Sequence, residues 1–318
     1  MRNAPSVTES QESQAVLNQI VMEHLREQAH QRFWRKVRWG VLLVALVWMG
    51  YEYVYHQNEY VSAKLKPHVG LIDVEGEISS NQSANADQLM KGLEKAYEQD
   101  TMKALILRIN SPGGSPVQAD YMYNTIKFYR QKHPDVKIYA VCVDLCASAA
   151  YYVAAAADEI YANPASMVGS IGVVYNGFGF VDALQKLGVT RRLQTAGQNK
   201  GFMDQFSPEN PTQKEALQTM LDLIHEQFIS QVKLGRGNRL HVNDDTFSGL
   251  IWTGRQAKEQ GLIDGFASSG QLARDIIKID KIVDYTTKPS VLEQMATNVG
   301  AAIVHQVPEA LGVKPGFY

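Results

Sequence analysis

Short apolar runs alternate with amphipathic stretches along the middle of the chain, a pattern that predicts strands followed by helices. The predicted strands are "VGLIDVEGEI" (69–78), "KALILRIN" (103–110), "VKIYAVCVD" (136–144) and the end of "NPASMVGSIGVVY" (163–175). The predicted helices are "ADQLMKGLEKAYEQD" (86–100), "SPVQADYMYNTIKFYRQKH" (115–133) and "AAYYVAAAADEI" (149–160). This order predicts an α/β fold with a mostly parallel sheet flanked by helices.

The pattern continues with one long helix and one short helix. Asn210 and Pro211 occupy positions typical of a helix cap and a first turn, and apolar residues then recur at helical spacing as far as Val232. The stretch "WTGRQAKEQGLIDGF" (252–266) predicts a capped helix, a turn and a short strand. The last residues mix Gly, Pro and apolar side chains, which predicts a loose C-terminal tail.

A longer apolar run, from Trp39 to Tyr55, follows a cluster of basic residues between Arg32 and Arg38. At about 1.5 Å per residue these roughly 17 residues span about 26 Å, short of a hydrocarbon core of about 30 Å, but aromatic residues flank both ends. A cleaved signal peptide is the alternative, but the polar lead is too long and "YVSAK" is a poor cleavage site. We therefore expect one membrane helix with the N-terminus in the cytoplasm, because basic residues precede it.

Composition and charge narrow the possible functions. Lys+Arg number 31 and Asp+Glu 33, so no overall positive charge favours nucleic acid, and the sequence has no zinc-type or phosphate-loop spacing. The two cysteines, Cys142 and Cys146, are four residues apart where a strand runs into a helix. This spacing predicts buried free thiols, with neither a disulfide framework nor a metal site.

The nearly continuous apolar stretch "VCVDLCASAAYYVAAAAD" (141–158) carries one serine, Ser148. Its predicted position is the junction of a strand and a helix, where backbone N–H groups of the first helical turn are free to bind an anion. Small neighbours such as Ala149 leave room for a substrate. A serine that simply caps an alanine-rich helix is the alternative, and this stretch alone does not decide between a cap and a nucleophile.

A nucleophilic serine needs a base. None of the eight histidines lies in the strand and turn motifs around Ser148, but lysine can act as a base when it is desolvated. "TAGQNKGFMDQFSP" places Lys200 among Gly, Asn, Phe and Met, although this stretch taken alone favours a surface lysine. Gly113 and Gly114 of "NSPGG" end a buried strand, where backbone N–H groups can bind a developing oxyanion.

In order and spacing, "ALILRINSPGG", "DLCASAAYYVAAAADEIYANPASMVGSIGV", "TAGQNKGFMDQFSP" and "WTGRQAKEQGLIDGF" resemble the signal peptide peptidase SppA family of membrane-anchored Ser/Lys proteases. The resemblance covers roughly residues 68 to 270, and it matches the short, single-domain form. It implies Ser148 as nucleophile, Lys200 as general base, Gly114 with the N–H of Ala149 as oxyanion hole, and Ser170 as hydrogen-bond partner of the lysine. "ASAAYY" departs from the family because many relatives have a glycine pair after the serine, and "AGQNK" is an unusual lead into the lysine.

The resemblance also implies the architecture and location. The fold would be a Clp/crotonase-like core preceded by one N-terminal transmembrane helix, in the bacterial cytoplasmic (inner) membrane, with the catalytic domain periplasmic or extracellular. The expected layout is a cytoplasmic tail (1–36), a transmembrane signal anchor (37–56), a linker (57–67), a Ser/Lys peptidase domain (68–290) and a C-terminal tail (291–318).

The expected function is a serine endopeptidase that degrades residual signal peptides, and other unfolded chains, at the outer membrane face. The expected partners are these peptides, the lipid bilayer and further copies of the chain in a ring-like homo-oligomer, with neither metal nor organic cofactor and no nucleic acid. Two alternatives remain, namely an acyl-CoA hydratase or isomerase of the crotonase type, and a membrane scaffold with an inactive protease fold. The first would need a catalytic carboxylate and a CoA pocket, and the Ser, Lys and GG set argues against the second.

Overall fold

The computed structural model describes residues 34–52 and 66–287. The chain comprises two compact units, Met1–Ser62 and Ala63–Tyr318. The first contains helix α1 over residues 34–52, whose apolar side chains are largely exposed. No helix among the described residues is both long and apolar enough to cross a membrane. The end of the predicted membrane segment (53–56) and the predicted C-terminal tail lie outside the described residues.

Residues 66–287 form an eight-stranded sheet in which β4 and β7 branch from the main order β6-β5-β3-β2-β1-β8. Its strands are β1 (His68–Glu75), β2 (Met102–Ser111), β3 (Lys137–Ala147), β4 (Glu159–Ala162), β5 (Met167–Gly169), β6 (Ile251–Thr253), β7 (Gly265–Phe266) and β8 (Ile282–Asp284). All pairings are parallel except the one between β5 and β6. The prediction of a mostly parallel sheet is confirmed.

Helices cover both faces of this sheet. They are α2 (Ala86–Tyr97), α3 (Pro116–Lys132), α4 (Ala149–Ala154), α5 (Val181–Lys186), α6 (Pro211–Arg236), α7 (Gly254–Glu259) and α8 (Ser269–Gln271), with a 3-10 turn (Gly237–Arg239) and a π-helical turn (Leu272–Ile277). Successive side chains of a strand point to opposite faces, so Leu105 and Leu107 of β2 pack against helices α2, α3 and α4. Ala104 and Ile106 pack on the other face, against the π-helical turn.

The helix predicted over 149–160 is shorter in the structure, because α4 ends at Ala154 and strand β4 begins at Glu159. A tertiary contact ends it: the Asp158 carboxylate accepts a hydrogen bond from the N–H of Ile138 at 2.8 Å and pairs with Arg130. The strand predicted after "NPASM" also contains only Met167–Gly169, and the antiparallel strand β6 beside it was not predicted. Strands β5 and β6 are both short segments that are held by tertiary contacts.

The two cysteines are free and buried, which confirms the prediction for them. Both belong to β3, where Cys142 pairs with Ile109 and Cys146 pairs with Ser111, so the intervening residues bulge out of the ladder. Burial raises the pKa of the Cys146 thiol, and the neighbouring Cys142 adds to this effect. The thiol therefore stays protonated and packs as a small apolar group.

Helix α6 is fixed to the sheet at its C-terminal end. The fully buried guanidinium of Arg236 makes a bidentate contact with Asp264, with N–O distances of 2.8 and 2.9 Å. Burial raises the pKa of Asp264, but the hydrogen bonds and positive charge of Arg236, the N–H of Ile160 and the charge of Arg239 together lower the pKa overall. The segment before α6, residues 172–210, differs because none of its residues is buried.

Candidate active site

Ser148 lies at a sharp turn between β3 and α4. Its φ and ψ are 55° and −127°, a conformation that non-glycine residues rarely adopt, and its N–H donates to the Gly169 carbonyl at 2.8 Å. Although Ser148 occupies the N-cap position of α4, its side chain makes no capping hydrogen bond. The alternative in which this serine serves as a helix cap is therefore wrong, and the hydroxyl is free for other chemistry.

The glycine pair after β2 allows the backbone to pass close to this turn. A Cβ atom on Gly113 would lie 2.7 Å from the Cβ atom of Ser148, and one on Gly114 would lie 2.2 Å from the Ile78 carbonyl oxygen. Ile78 bonds to the carbonyl of Gly113 and the N–H of Ser115, so this bridge uses neither the N–H nor the carbonyl of Gly114. Only glycine fits both positions without displacing the backbone.

Four of the five residues predicted for the site line one cleft. Ser148, Gly114, Ala149 and Ser170 share a cavity of about 770 Å³. Ala149 is the first residue of α4, so its N–H has no acceptor within the helix. Ser170 also has a positive φ, 51°, and its N–H donates to the Leu250 carbonyl at 2.7 Å. The arrangement places a hydroxyl beside backbone N–H groups, as acyl transfer requires.

The fifth residue, Lys200, is not among the residues that line this cleft. It is exposed in the segment 172–210 and stands beside a second cavity of about 810 Å³, which is lined by its neighbours Gln198 and Gly201. Within the described residues of one chain, the structure therefore does not bring Lys200 to Ser148.

A histidine does lie near the cleft, but it points elsewhere. His225 of α6 is hydrogen-bonded through Nε2 to the Ile171 carbonyl at 3.0 Å, and it is not one of the residues that line the cleft. This contact fixes the chain where it leaves the core after Ser170. It gives no reason to replace lysine with histidine as the candidate base.

The cleft also contains a polar cluster that the sequence did not indicate, formed by Asp120, Tyr152 and Gln227. The Tyr152 hydroxyl donates to Asp120 Oδ1 at 2.8 Å, and Gln227 Nε2 donates to the same oxygen at 3.1 Å. Burial raises the pKa of Tyr152, and its bond to Asp120 raises the pKa further, so the phenol keeps its proton. These residues are up to 107 positions apart, and no local motif connects them.

Comparisons with known proteins bear on this arrangement. The model of peptidase family S49 matches residues 130–282, and the Clp protease model matches residues 66–168. A putative protease of Synechocystis is 30% identical over 73% of this chain and 87% of its own length. A putative signal peptide peptidase SppA of Enterococcus faecium is 28% identical over 67% of this chain and 61% of its own length.

The chain is also 44% identical, over 57% of its length, to a protein of Brucella abortus named Na(+)/H(+) antiporter NhaA. It spans only 25% of that relative.

The parallel sheet with a serine at a strand-to-helix turn defines a peptidase class with a Clp-like α/β core. Within that class, the chain belongs to peptidase family S49, the SppA family of serine peptidases.

Proposed function

We propose that this chain is a serine endopeptidase whose nucleophile is Ser148. One observation carries the proposal: a strained serine that caps no helix shares a cleft with Gly114, Ala149 and Ser170. Strain at a strand-to-helix turn exposes the hydroxyl, and the glycine pair lets a peptide backbone approach it. Membership in family S49 supports the same chemistry.

In the proposed reaction, Lys200 acts as the general base and takes the hydroxyl proton of Ser148 as Oγ attacks the peptide carbonyl carbon. The N–H groups of Gly114 and Ala149 stabilise the negative oxygen of the tetrahedral intermediate. The C–N bond then breaks, and Lys200 gives its proton to the leaving amine. Water, deprotonated by the same lysine, hydrolyses the acyl-enzyme and restores Ser148. Ser170 accepts a hydrogen bond from the lysine and orients it.

We infer that Lys200 reaches Ser148 from a second copy of the chain. Large apolar side chains of the segment 172–210 are exposed in one copy, with 85% of Val174, 70% of Phe178 and 76% of Leu187 accessible. Apolar side chains clustered in this way favour a protein partner. A head-to-tail contact that repeats around a closed ring would cover this segment in every copy and form a ring-like homo-oligomer.

The proposed substrates are residual signal peptides and other unfolded chains, cleaved at the outer face of the bacterial inner membrane. The proposed anchor, residues 37–56, includes the exposed apolar side chains of α1, and its last four residues lie outside the described part of the chain. A reporter fused after Tyr318 should be active only outside the cytoplasm. A signal confined to the cytoplasm would contradict this topology.

The peptidase proposal is tested with a serine-directed phosphonylating inhibitor. The full-length protein would be treated with an alkyl fluorophosphonate, digested, and the adduct located by mass spectrometry. We expect one labelled residue, Ser148, and no adduct in a Ser148→Ala variant. A label on another residue, or no label on active protein, would overturn the proposed mechanism.

A further inference from the structure

The cleft beside Ser148 is mostly apolar and has one acidic side chain. Its apolar walls come from α3, α6 and the chain after Ser170, and include Val117, Val174, Ile224 and Phe228. Among the described residues that line the cleft, Asp120 is the one with a side chain of the Asp, Glu, Lys or Arg type. A long substrate side chain with an apolar stem and a positively charged end would match this distribution.

The hydrogen-bond partners of Asp120 are all neutral. Oδ1 accepts from the Tyr152 hydroxyl and from Gln227 Nε2, and Oδ2 accepts from Asn124 Nδ2 at 3.0 Å. In the part of the chain that the structure describes, no Lys or Arg forms an ion pair with this carboxylate. Donors on three different helices therefore hold the carboxylate in a fixed position without neutralising its charge.

This carboxylate is close to the nucleophile. Tyr152 lies one helical turn after Ser148, and its N–H donates to the Ser148 carbonyl at 3.0 Å. Ser148 and Asp120 line the same cleft, and the Tyr152 hydroxyl connects the first turn of α4 to Asp120. The Tyr152 ring contacts Phe228, with ring centroids 5.0 Å apart, which fixes its direction.

We propose that Asp120 is a specificity-determining residue that selects substrates with lysine or arginine at the residue whose carbonyl Ser148 attacks. The inference rests on the proposed function, because it assigns the substrate class of the same cleft. The aliphatic stem of the lysine or arginine packs on the apolar walls, and its cationic end forms a charge-assisted hydrogen bond with Asp120.

The test uses two N-acetylated fluorogenic peptides that differ at one position, lysine in the first and norleucine in the second. Norleucine has a neutral side chain of similar length, and acetylation removes the α-ammonium group, so only the side-chain cation differs. We expect wild-type kcat/KM to be about tenfold higher for the lysine peptide than for the norleucine peptide, because one charge-assisted hydrogen bond gives a difference of about this size. Similar values for the two peptides would overturn the proposal.

The matched variants are Asp120→Asn and Asp135→Asn. Asparagine keeps the shape and an acceptor oxygen for Tyr152, whereas Asp135 is exposed in the turn before β3. The lysine-to-norleucine ratio of kcat/KM should fall to about one in Asp120→Asn and stay near ten in Asp135→Asn. An unchanged ratio in Asp120→Asn would overturn the proposal.

Competition by n-butylammonium provides a second measurement, which remains informative if Asp120→Asn is a weak enzyme. This cation should inhibit cleavage of the norleucine peptide by the wild type and should lose at least about tenfold in affinity in Asp120→Asn. Equal inhibition of both proteins would contradict a role for Asp120. If neither peptide is cleaved, or if cleavage survives Ser148→Ala, the proposed function itself fails, which is a distinguishable result.

Discussion

The turn at Ser148 and the segment that carries Lys200 differ in how they are held. Ser148 lies between a glycine pair that a single Cβ would displace and a helix whose residues are all buried. The segment 172–210 has no buried residue, and this includes every residue of its one helix, α5. Geometry that is fixed by packing within one chain can serve catalysis directly. An uncovered segment needs a partner, so we infer that the site is completed between two copies.

The largest effect on activity is expected at Ser148, whose turn is held by packing within one chain. Ser148→Ala should lower kcat/KM for peptide hydrolysis by at least about 10⁴-fold, because no hydroxyl remains to be acylated. Thermal unfolding should be unchanged, since this side chain caps no helix. The matched control is Ser230→Ala on the exposed surface of α6, which should keep wild-type kinetics. Activity of Ser148→Ala within tenfold of the wild type would contradict the assignment.

The next largest effect on activity is expected at Lys200, in the exposed segment 172–210. Lys200→Ala and Lys200→Arg should each lower kcat by about 10³-fold, because arginine stays protonated and cannot act as a base. Lys214→Ala is the control, because Lys214 is also exposed and pairs with Glu209. If Lys200→Arg retains most of its activity, a positive charge rather than a base is what this position supplies.

A smaller effect is expected where the glycine pair approaches Ile78. Gly114→Ala would put a Cβ atom 2.2 Å from the Ile78 carbonyl oxygen and displace the proposed oxyanion donor. We expect kcat to fall by about 10²-fold, as for loss of one such donor. Gly270→Ala is the control, because a Cβ there meets no atom within 4 Å. Wild-type kcat in Gly114→Ala would remove this residue from the mechanism.

The smallest effect on rate is expected far from the cleft, where α6 is fixed to the sheet. Asp264→Asn leaves the buried Arg236 without its ion-pair partner and should lower the free energy of unfolding by about 3 kcal/mol. At temperatures where the variant is folded, its kcat should match the wild type. Asp275→Asn breaks an exposed pair with Arg274 and should barely change stability.

The same pair predicts a pH dependence of stability. The folded-state pKa of Asp264 is lowered, so its contribution is complete above the ordinary value of 3.8 and is lost as the pH falls through the lowered pKa. The difference in unfolding free energy between wild type and Asp264→Asn should therefore shrink below pH 3.8. A difference that grows with acidification would contradict the assigned pKa direction.

Sequence patterns predicted the parts of the molecule that local forces determine. The order of strands and helices follows from apolar spacing, and the cap at Asn210 appears as expected. The end of α4 at Ala154 was missed because alanine favours helix, whereas the hydrogen bonds of Asp158 stop it through tertiary contacts. Local propensity cannot report such contacts.

The candidate site was also predicted only in part from the sequence. Ser148, Gly114 and Ala149 lie in short motifs whose turn chemistry is visible in the sequence, and the structure places them in one cleft. Asp120 could not be found in this way, since its partners Tyr152 and Gln227 come from two other helices. The position of Lys200 relative to Ser148 was also not predictable, because the segment 172–210 that carries Lys200 lacks the buried apolar pattern that fixes a fold.

The most direct test of a site shared between copies is complementation of two inactive variants. Full-length Ser148→Ala and Lys200→Ala chains would be mixed during unfolding and reassembly, so that about a quarter of the contacts pair an intact serine with an intact lysine. Ser148→Ala chains mixed with the double variant are the control and should stay inactive. We predict that hydrolysis returns to about a quarter of the wild-type rate. Well-mixed assemblies without activity would contradict this account and place Ser148 and Lys200 of one chain in the same site.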